Sequence, residues 1–234
     1  MKSSNPKISI IIPVLNEEQC IGKILNYLTI HSSPEHIEEI LIIDGGSTDK
    51  TTQIALENGA RVVHSSKGRA KQLNTGAKFA KGAILYFLHV DTFPPKNFET
   101  LIIKEVQKEN KVGCFQLKFD TNSTFLNFFG WLTRLNLSIC RGGDQSLYIT
   151  KKLFLQTDGF NEDYIIYEDN EFIRRVYKLS NFTVLPFQVK TSTRRYDEKG
   201  KIILQYHFGV IHLKNYLGAG PEKLYDYYRR KIAV

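Results

Sequence analysis

Carboxylates stand at three points where a strand ends or a helix begins. The stretch "ILYFLHVDTFPP", residues 84–95, is an apolar run that stops at His89-Val90-Asp91, with two prolines close behind. One aspartate so placed suits a hard cation, because Mg²⁺ or Mn²⁺ binds through one or two carboxylates plus substrate phosphates and keeps several waters. The competing reading makes Asp91 a cap for a helix starting near Pro95. Asp44 closes "EEILIIDGG" (38–46). It can accept a hydrogen bond from a base N–H or a ribose hydroxyl, as strand-end acids do in dinucleotide folds, or form an Asx turn bent at Gly45 and Gly46. In the pair Glu168-Asp169, one carboxylate can serve as general base toward a hydroxyl while the other orients it. Acids opening a helix against its dipole would look the same. Arg69 and Lys71, beside Gly68, can approach a diphosphate or form a solvated basic face.

These residues need elements to position them. "KISIIIPVL" (7–15) reads as a strand covered on both faces. Ile21, Ile24, Leu25 and Leu28 then recur at helix spacing. The strand ending at Asp44 precedes a helix that Ser47 or Thr48 can cap, running to about Asn58. "ARVVHS" is a third strand, "GRAKQLNTGAKFAKG" a helix, and "AILYFLH" a fourth strand. This alternation predicts an α/β fold with a doubly wound, mostly parallel, Rossmann-like sheet. Ligands then bind beyond the carboxyl ends of the strands, where Asn16-Glu17, Asp44 and Asp91 all fall. The second half is less regular. It offers a strand at 111–120, an aromatic helix with Phe125, Phe128, Phe129, Leu132 and Leu135 at helical offsets, a helix starting on the acids, and a late strand running into the basic turn "TSTRRY". The tail "EKLYDYYRRKIAV" is aromatic and basic. One domain is expected, with an alternating half over about 1–95 and a less regular half over about 96–234.

Composition narrows the class. The chain has 234 residues, 42% hydrophobic, with a net charge of +8, which favours anionic partners without choosing among them. Scattered basic residues and no base-stacking motif argue against nucleic acid. Cys20, Cys114 and Cys140 form no CxxC pair and no zinc spacing, so reduced, buried thiols are expected. "MKSSNPK" has no apolar leader segment, and no window of about 18 apolar residues suggests a membrane span. A cytoplasmic protein is the resulting expectation. No GxGxxG and no P-loop appear, against NAD, flavin and simple NTP chemistry.

With these residues in place, the chain resembles the family 2 glycosyltransferases with the GT-A fold. The resemblance runs over nearly the whole length, through "SIIIPVLNEE", "EILIIDGGSTDKT", "NTGAKFAKGAILYFLHVDT" and "GGDQSLYITKKLFLQTDGFNEDYIIYEDNEFIRR". "GRAKQLNTGA", "FLHVDT", "GGDQ" and "TSTRRY" are similar to a bacterial subgroup associated with arsenosugar biosynthesis. The resemblance implies a nucleotide-sugar donor bound by the half over about 1–95, an acceptor and catalytic half over about 96–234, a divalent metal (Mn²⁺ or Mg²⁺), and an inverting transfer to a small-molecule or lipid-linked acceptor. Pro13, Asn16 and Glu17 would line the nucleoside pocket, Asp44 would bond the base, and Gly68, Arg69 and Gln72 would close over the nucleotide. Val90 and Asp91 match the end of the family's DxD metal motif, with Asp91 as the metal ligand. His89 stands where many members have the first aspartate, and could bond a ribose hydroxyl or a phosphate. Asp169, with Glu168, matches the catalytic base. Gly143, Asp144 and Gln145 would sit near donor sugar and acceptor. Arg194 and Arg195 would meet phosphates or an anionic acceptor. His207 and His212 are further candidates for the metal. Two other readings stand beside this one: a transferase working at a membrane surface on a polyprenyl-phosphate or lipid acceptor, suggested by the aromatic stretch 124–139 and the basic tail, where core or a homodimer face is the plainer account of the helix, and a nucleotide-binding protein of the same fold without activity.

Overall fold

The computed structural model describes residues 5–233; residues 1–4 of "MKSSNPK" and residue 234 lie outside the described residues. The first half follows the expected alternation: β1 (Ile8–Val14), α1 (Glu18–His31), β2 (Ile37–Asp44), α2 (Thr51–Glu57), β3 (Arg61–His64), α3 (Arg69–Phe79), β4 (Ile84–Phe87), β5 (Thr92–Phe93) and α4 (Phe98–Gln107). The second half adds β6 (Val112–Phe119), α5 (Thr124–Leu132), β7 (Leu147–Thr150), α6 (Lys151–Leu155), α7 (Glu168–Leu179), β8 (Phe182–Thr191), α8 (Arg194–Lys199), α9 (Lys201–Tyr216) and α10 (Pro221–Lys231). Among the described residues one sheet runs β3-β2-β1-β4-β7-β6-β8-β5. The pairs among β1 to β4 are parallel, β7 is antiparallel to both β4 and β6, β8 is parallel to β6, and β5 is antiparallel to β8. The sheet is therefore mixed, and it joins the two halves through the β4–β7 pair.

The apolar run of β1 is explained by its two covered faces. Ile8, Ile10, Ile12 and Val14 pack into one core layer with α1 and α4, while Ile11 joins Leu73 and Ala77 of α3 in the other. Burying each such aliphatic side chain contributes roughly 1.5–3 kcal/mol. Gly76 sets the closeness of α3, because a Cβ there would collide with Ile11 Cγ2. A third, smaller cluster around Leu204, Ile211 and Leu224 holds α9 and α10 together.

Several local expectations are corrected. α2 starts at Thr51 without a side-chain cap, because Ser47 and Thr48 are bonded to Asn16. Asp91 caps no helix: α4 begins at Phe98 behind Asn97, which has φ +56°. α5 ends at Leu132 and buries Leu126 and Gly130 rather than the whole aromatic set. A Cβ at Gly130 would lie 3.0 Å from the Leu117 carbonyl, so that glycine turns this side of the helix to β6. Phe128 and Trp131 stay exposed. Of the cysteines only Cys114 is buried, with burial pushing its thiol up to about 11. The basic turn after β8 is the short helix α8. No helix among the described residues is long and apolar enough to cross a membrane.

Candidate active site

The carboxyl ends of β1 and β2 are tied to each other by side chains. Asn16, at φ +55°, accepts from the Thr48 N–H through Oδ1 (2.8 Å), and its own N–H reaches Ser47 Oγ (3.0 Å). The Glu17 N–H donates to Thr51 Oγ1 (2.7 Å). Gln72, reaching up from α3, donates its amide to the carbonyls of Val14 and Ile43, each at 2.8 Å. Asp44 is only 2% exposed, and its carboxylate accepts from the Gly46 and Ser47 N–H groups and contacts His64 Nδ1 at 3.3 Å. Burial pushes this carboxyl up, but the bonds from Ser47, Gly46 and His64 outweigh it and hold the group below the ordinary range. The structure thus places Asp44 in an Asx turn beside the cavity, not among its lining residues. Gly68 opens α3 at φ +134°, where a side chain would be strained.

Beyond β4 the chain turns sharply at His89-Val90-Asp91, with the Thr92 N–H donating to the His89 carbonyl (3.2 Å). The Ser192 N–H, just past β8, donates to the Asp91 carbonyl (3.2 Å). No hydrogen bond or ion pair among the described residues reaches the Asp91 carboxylate. His89 lies between two acids: Nδ1 is 3.0 Å from Asp144 Oδ1, and Nε2 is 3.9 Å from Asp169 Oδ2. Arg69 approaches the same corner, 3.7 Å from Glu168 and 4.0 Å from Asp169. Gly143 is wedged there as well; a Cβ would collide with Asp169 Oδ2 and lie 2.9 Å from His89 Cε1.

Two residues that the sequence reading missed, Arg141 and Asn170, hold this corner together. Arg141, 3% exposed, donates to the carbonyls of Thr133 and Leu135 and to Gln145 Oε1 (2.6 Å). Its own carbonyl accepts from Nδ2 of Asn170 (2.6 Å), the residue after Asp169. Gln145 is buried and spends its amide on Arg141 and the Cys140 carbonyl, so it braces the loop. The only sequence signal for Arg141 was its place directly before "GGDQ".

The two acids of α7 differ in environment. Glu168 is 4% exposed, and desolvation, reinforced by the neighbouring Asp169, pushes its carboxyl up to about 7 from an ordinary 4.5, against the pull of Arg69 and His89. Asp144 lies in the cavity wall, where desolvation is outweighed by His89, Arg69 and Arg195, holding its carboxyl low. Glu168 gives a testable stability signature. Its folded-state value lies above its unfolded one, so its contribution is full below about pH 4.5 and is lost as pH climbs through about 7. Glu168→Gln lacks that loss. Melts taken from pH 4.5 to 8 should show the variant gaining on the parent by several degrees and then levelling, at about 2–4 °C per kcal/mol for a chain of this size. A difference that does not vary with pH would contradict the burial argument.

These elements surround a cavity of about 350 Å³, lined by Pro13, Val14, Leu15, Glu17, Arg69, Gln72, His89, Val90, Asp91, Asp144, Arg194 and Arg195, by Thr191, Ser192 and Tyr196 of the same "TSTRRY" stretch, and by Leu204 and Phe208, which no sequence motif marked. Asn16, Asp44, Gly68, Gly143, Gln145, Glu168 and Asp169 stand behind or beside that lining. Asp169 is brought to it through His89 and Arg69. Arg194 ion-pairs with Glu17 at 3.5 Å, and Arg195 donates to the Tyr228 hydroxyl (2.8 Å). His207 and His212 are outside the lining, with their Nδ1 atoms bonded to Tyr227 (2.7 Å) and Tyr167 (2.9 Å).

The sequence profile described as Glycosyl transferase family 2 matches residues 9–161, well over half of the chain. The chain belongs to glycosyl transferase family 2. The family match takes in the β1, β2 and β4 rims and the "GGDQ" loop, and stops before Glu168-Asp169. Glycosyltransferase AglE of Haloferax volcanii is 37% identical over 101 residues, covering 40% of this chain and 33% of that protein. Probable glycosyltransferase YdaM of Bacillus subtilis is 22% identical over 201 residues, 74% of this chain and 47% of its own length. The chain thus spans less than half of either relative. Among solved structures, S. aureus TarS 1-349 in complex with UDP has a TM-score of 0.66 at 23% identity, covering 80% of this chain and 60% of that one. Glucosyl-3-phosphoglycerate synthase from Mycobacterium tuberculosis, with Mn²⁺, UDP and glucosyl-3-phosphoglycerate, has a TM-score of 0.64 at 18% identity over 92% and 81% of the two chains. These likenesses establish the GT-A fold.

Proposed function

We propose that the chain transfers a sugar, with inversion, from a nucleoside-diphosphate sugar to an acceptor hydroxyl, using Asp169 as general base. One observation carries this reading: acids from separate elements, Asp91 after β4 and Asp169 on α7, approach one cleft, and Gly143 is kept free of a side chain where Asp169 enters. The UDP in the TarS and glucosyl-3-phosphoglycerate synthase structures supports a nucleotide donor, and the Mn²⁺ in the latter supports a metal.

The residues fit a divalent cation of the hard type. No group of three or more His, Cys, Asp or Glu able to hold a metal is found among the described residues, so the protein's share would be Asp91 alone, as suits a cation that completes its shell with phosphates and water. Both His89 nitrogens face acids, so His89 is not counted as a donor. When bound, the cation would neutralise charge on the departing diphosphate. Arg69, Arg194 and Arg195 would supply further positive charge at the same wall. Pro13, Asn16, Glu17, Gly68 and Gln72 would shape the nucleoside end, and Asp44 would hold the 45–48 loop in position beside the base. Asp144 and Gly143 would border the sugar. Asp169 would take the acceptor proton as the anomeric centre passes through an oxocarbenium-like state. Glu168, deeply buried and holding its proton more tightly, would orient its neighbour.

A thermal-shift screen of UDP-, GDP- and dTDP-sugars with and without Mn²⁺ tests the reading. A true donor at about 100 times its dissociation constant should add about 2.7 kcal/mol, or about 5–10 °C here, with Mn²⁺ required for most of it. No shift with any of them would defeat the proposal, and slow metal-dependent hydrolysis of a sugar nucleotide would exclude an inactive protein. A role in arsenosugar or related glycoside formation rests on the subgroup resemblance alone. Exposed Ile202, Ile203, Tyr206 and Tyr216 on α9 and the basic end of α10 favour a second version, in which the acceptor is lipid-linked and met at a membrane surface; liposome co-sedimentation separates the two.

A further inference from the structure

A second groove lies away from the cavity, lined by residues of α5, β6 and β8 and of the turn between β6 and α5. Its volume is about 450 Å³, and its walls include Trp131, Arg134, Asn127, Lys118, Asn122 and Gln188. Trp131 is 50% exposed, and its ring lies near parallel to that of Phe128, at 17° and 6.4 Å between centroids. With Phe128, itself exposed, it forms a contiguous aromatic patch, and it is contiguous patches rather than single exposed rings that mark binding surfaces. The polar groups around it are equally uncommitted. The side chains of Lys118, Asn122, Arg134 and Gln188 make no hydrogen bond or ion pair among the described residues, and Asn127 makes only a 3.5 Å contact with the Thr121 carbonyl.

We infer that this groove binds an acceptor of one chemical class, a saccharide chain carrying acidic groups. A sugar ring has an apolar C–H face, which suits the negative face of an indole, and a girdle of hydroxyls that both donate and accept. Side-chain amides are the protein groups that likewise do both, and three of them border Trp131. Lys118 and Arg134 have no carboxylate to answer them, which selects for anionic substituents on the chain. A lipid-inserting face would not carry this many hydrated amides and cations at its centre. The inference depends on the proposed transfer only in calling the ligand an acceptor.

Trp131 is the single tryptophan of the chain, so its emission reports the groove without any need for turnover. Titrating the full chain with a galacturonic acid hexamer should change that emission saturably. Arg134→Glu and, separately, Lys118→Glu should weaken binding at least tenfold, while the thermal shift given by the donor nucleotide stays as in the parent. Asn122→Ala with Gln188→Ala serves if a charge reversal fails to fold. Maltohexaose, neutral and of equal length, should bind more weakly. The inference is overturned if emission does not respond at millimolar hexamer, if maltohexaose binds as well, or if inorganic pyrophosphate alone reproduces the response. It is also overturned if phosphatidylglycerol vesicles, or self-association on concentrating the protein, change the emission where the hexamer does not.

Discussion

Asp169→Asn should lower turnover by about 10²–10⁴-fold and leave nucleotide binding close to that of the parent. The substitution keeps the shape of the side chain and removes its negative charge and its ability to take a proton. Asp169 is not among the residues lining the cavity, so the nucleotide gains little from it directly. Its surroundings are built for position: His89 Nε2 at 3.9 Å, Arg69 at 4.0 Å, and the bare Cα of Gly143 pressed against Oδ2. Asparagine fits the same space, so fold and cleft survive. The check is kcat and KM for hydrolysis or transfer of the donor chosen by thermal shift, alongside calorimetric affinity for the nucleotide. Turnover equal to the parent would remove Asp169 from the mechanism. Loss of nucleotide affinity with loss of rate would instead make it a binding residue. Glu168→Gln should be far milder in rate, because that carboxyl is deeply buried and holds its proton more tightly than an ordinary glutamate.

Asp91→Ala should abolish the Mn²⁺-dependent part of donor binding. Asp91 is the acid in the cavity lining whose carboxylate is left without a hydrogen bond or ion pair among the described residues. Glu17 is engaged by Arg194, and Asp144 by His89. Removing Asp91 would therefore leave a bound cation only phosphates and water, with no protein ligand. Titrating Mn²⁺ in the presence of the nucleotide, by calorimetry, reads this directly. Nucleotide without metal should bind the variant as well as the parent or slightly better, since a negative charge near the diphosphate has gone. Unchanged Mn²⁺ affinity would show that the ion is held elsewhere, and a cation site at Asp91 would be abandoned.

The aromatic helix shows where a pattern misleads. Helical spacing grouped Phe125, Phe128, Phe129, Leu132 and Leu135 as one face, yet α5 ends at Leu132 and the face pressed on the sheet is that of Leu126 and Gly130. A glycine carries no hydrophobic signal, but its bare surface is what lets the helix approach β6. The last third was hard to read for a related reason. α9 buries Leu204, Ile211 and Asn215, while Ile202, Ile203, Tyr206, Leu213 and Tyr216 stay exposed around it, so no clean period emerges. Pocket residues such as Phe208 and Leu204 come from that helix and look in sequence like ordinary core residues.

The amino-acid sequence by itself determined the alternating first half, because short runs rich in β-branched residues such as "ISIIIPV" suit strands covered on both faces, and it put polar residues at the ends of those strands. It also marked Asp91, Asp169 and "GGDQ" as chemistry-bearing. Tertiary structure alone decided which of them meet. Asp44 was drawn into its own loop by backbone N–H groups two and three residues away, a local competition that no pattern ranks. His89 and Asp169 face each other across 80 residues because an antiparallel β7 fills the place beside β4 and carries the Arg141-braced loop with it. Distances of that kind depend on how two layers pack, and packing is a property of the assembled chain rather than of any segment.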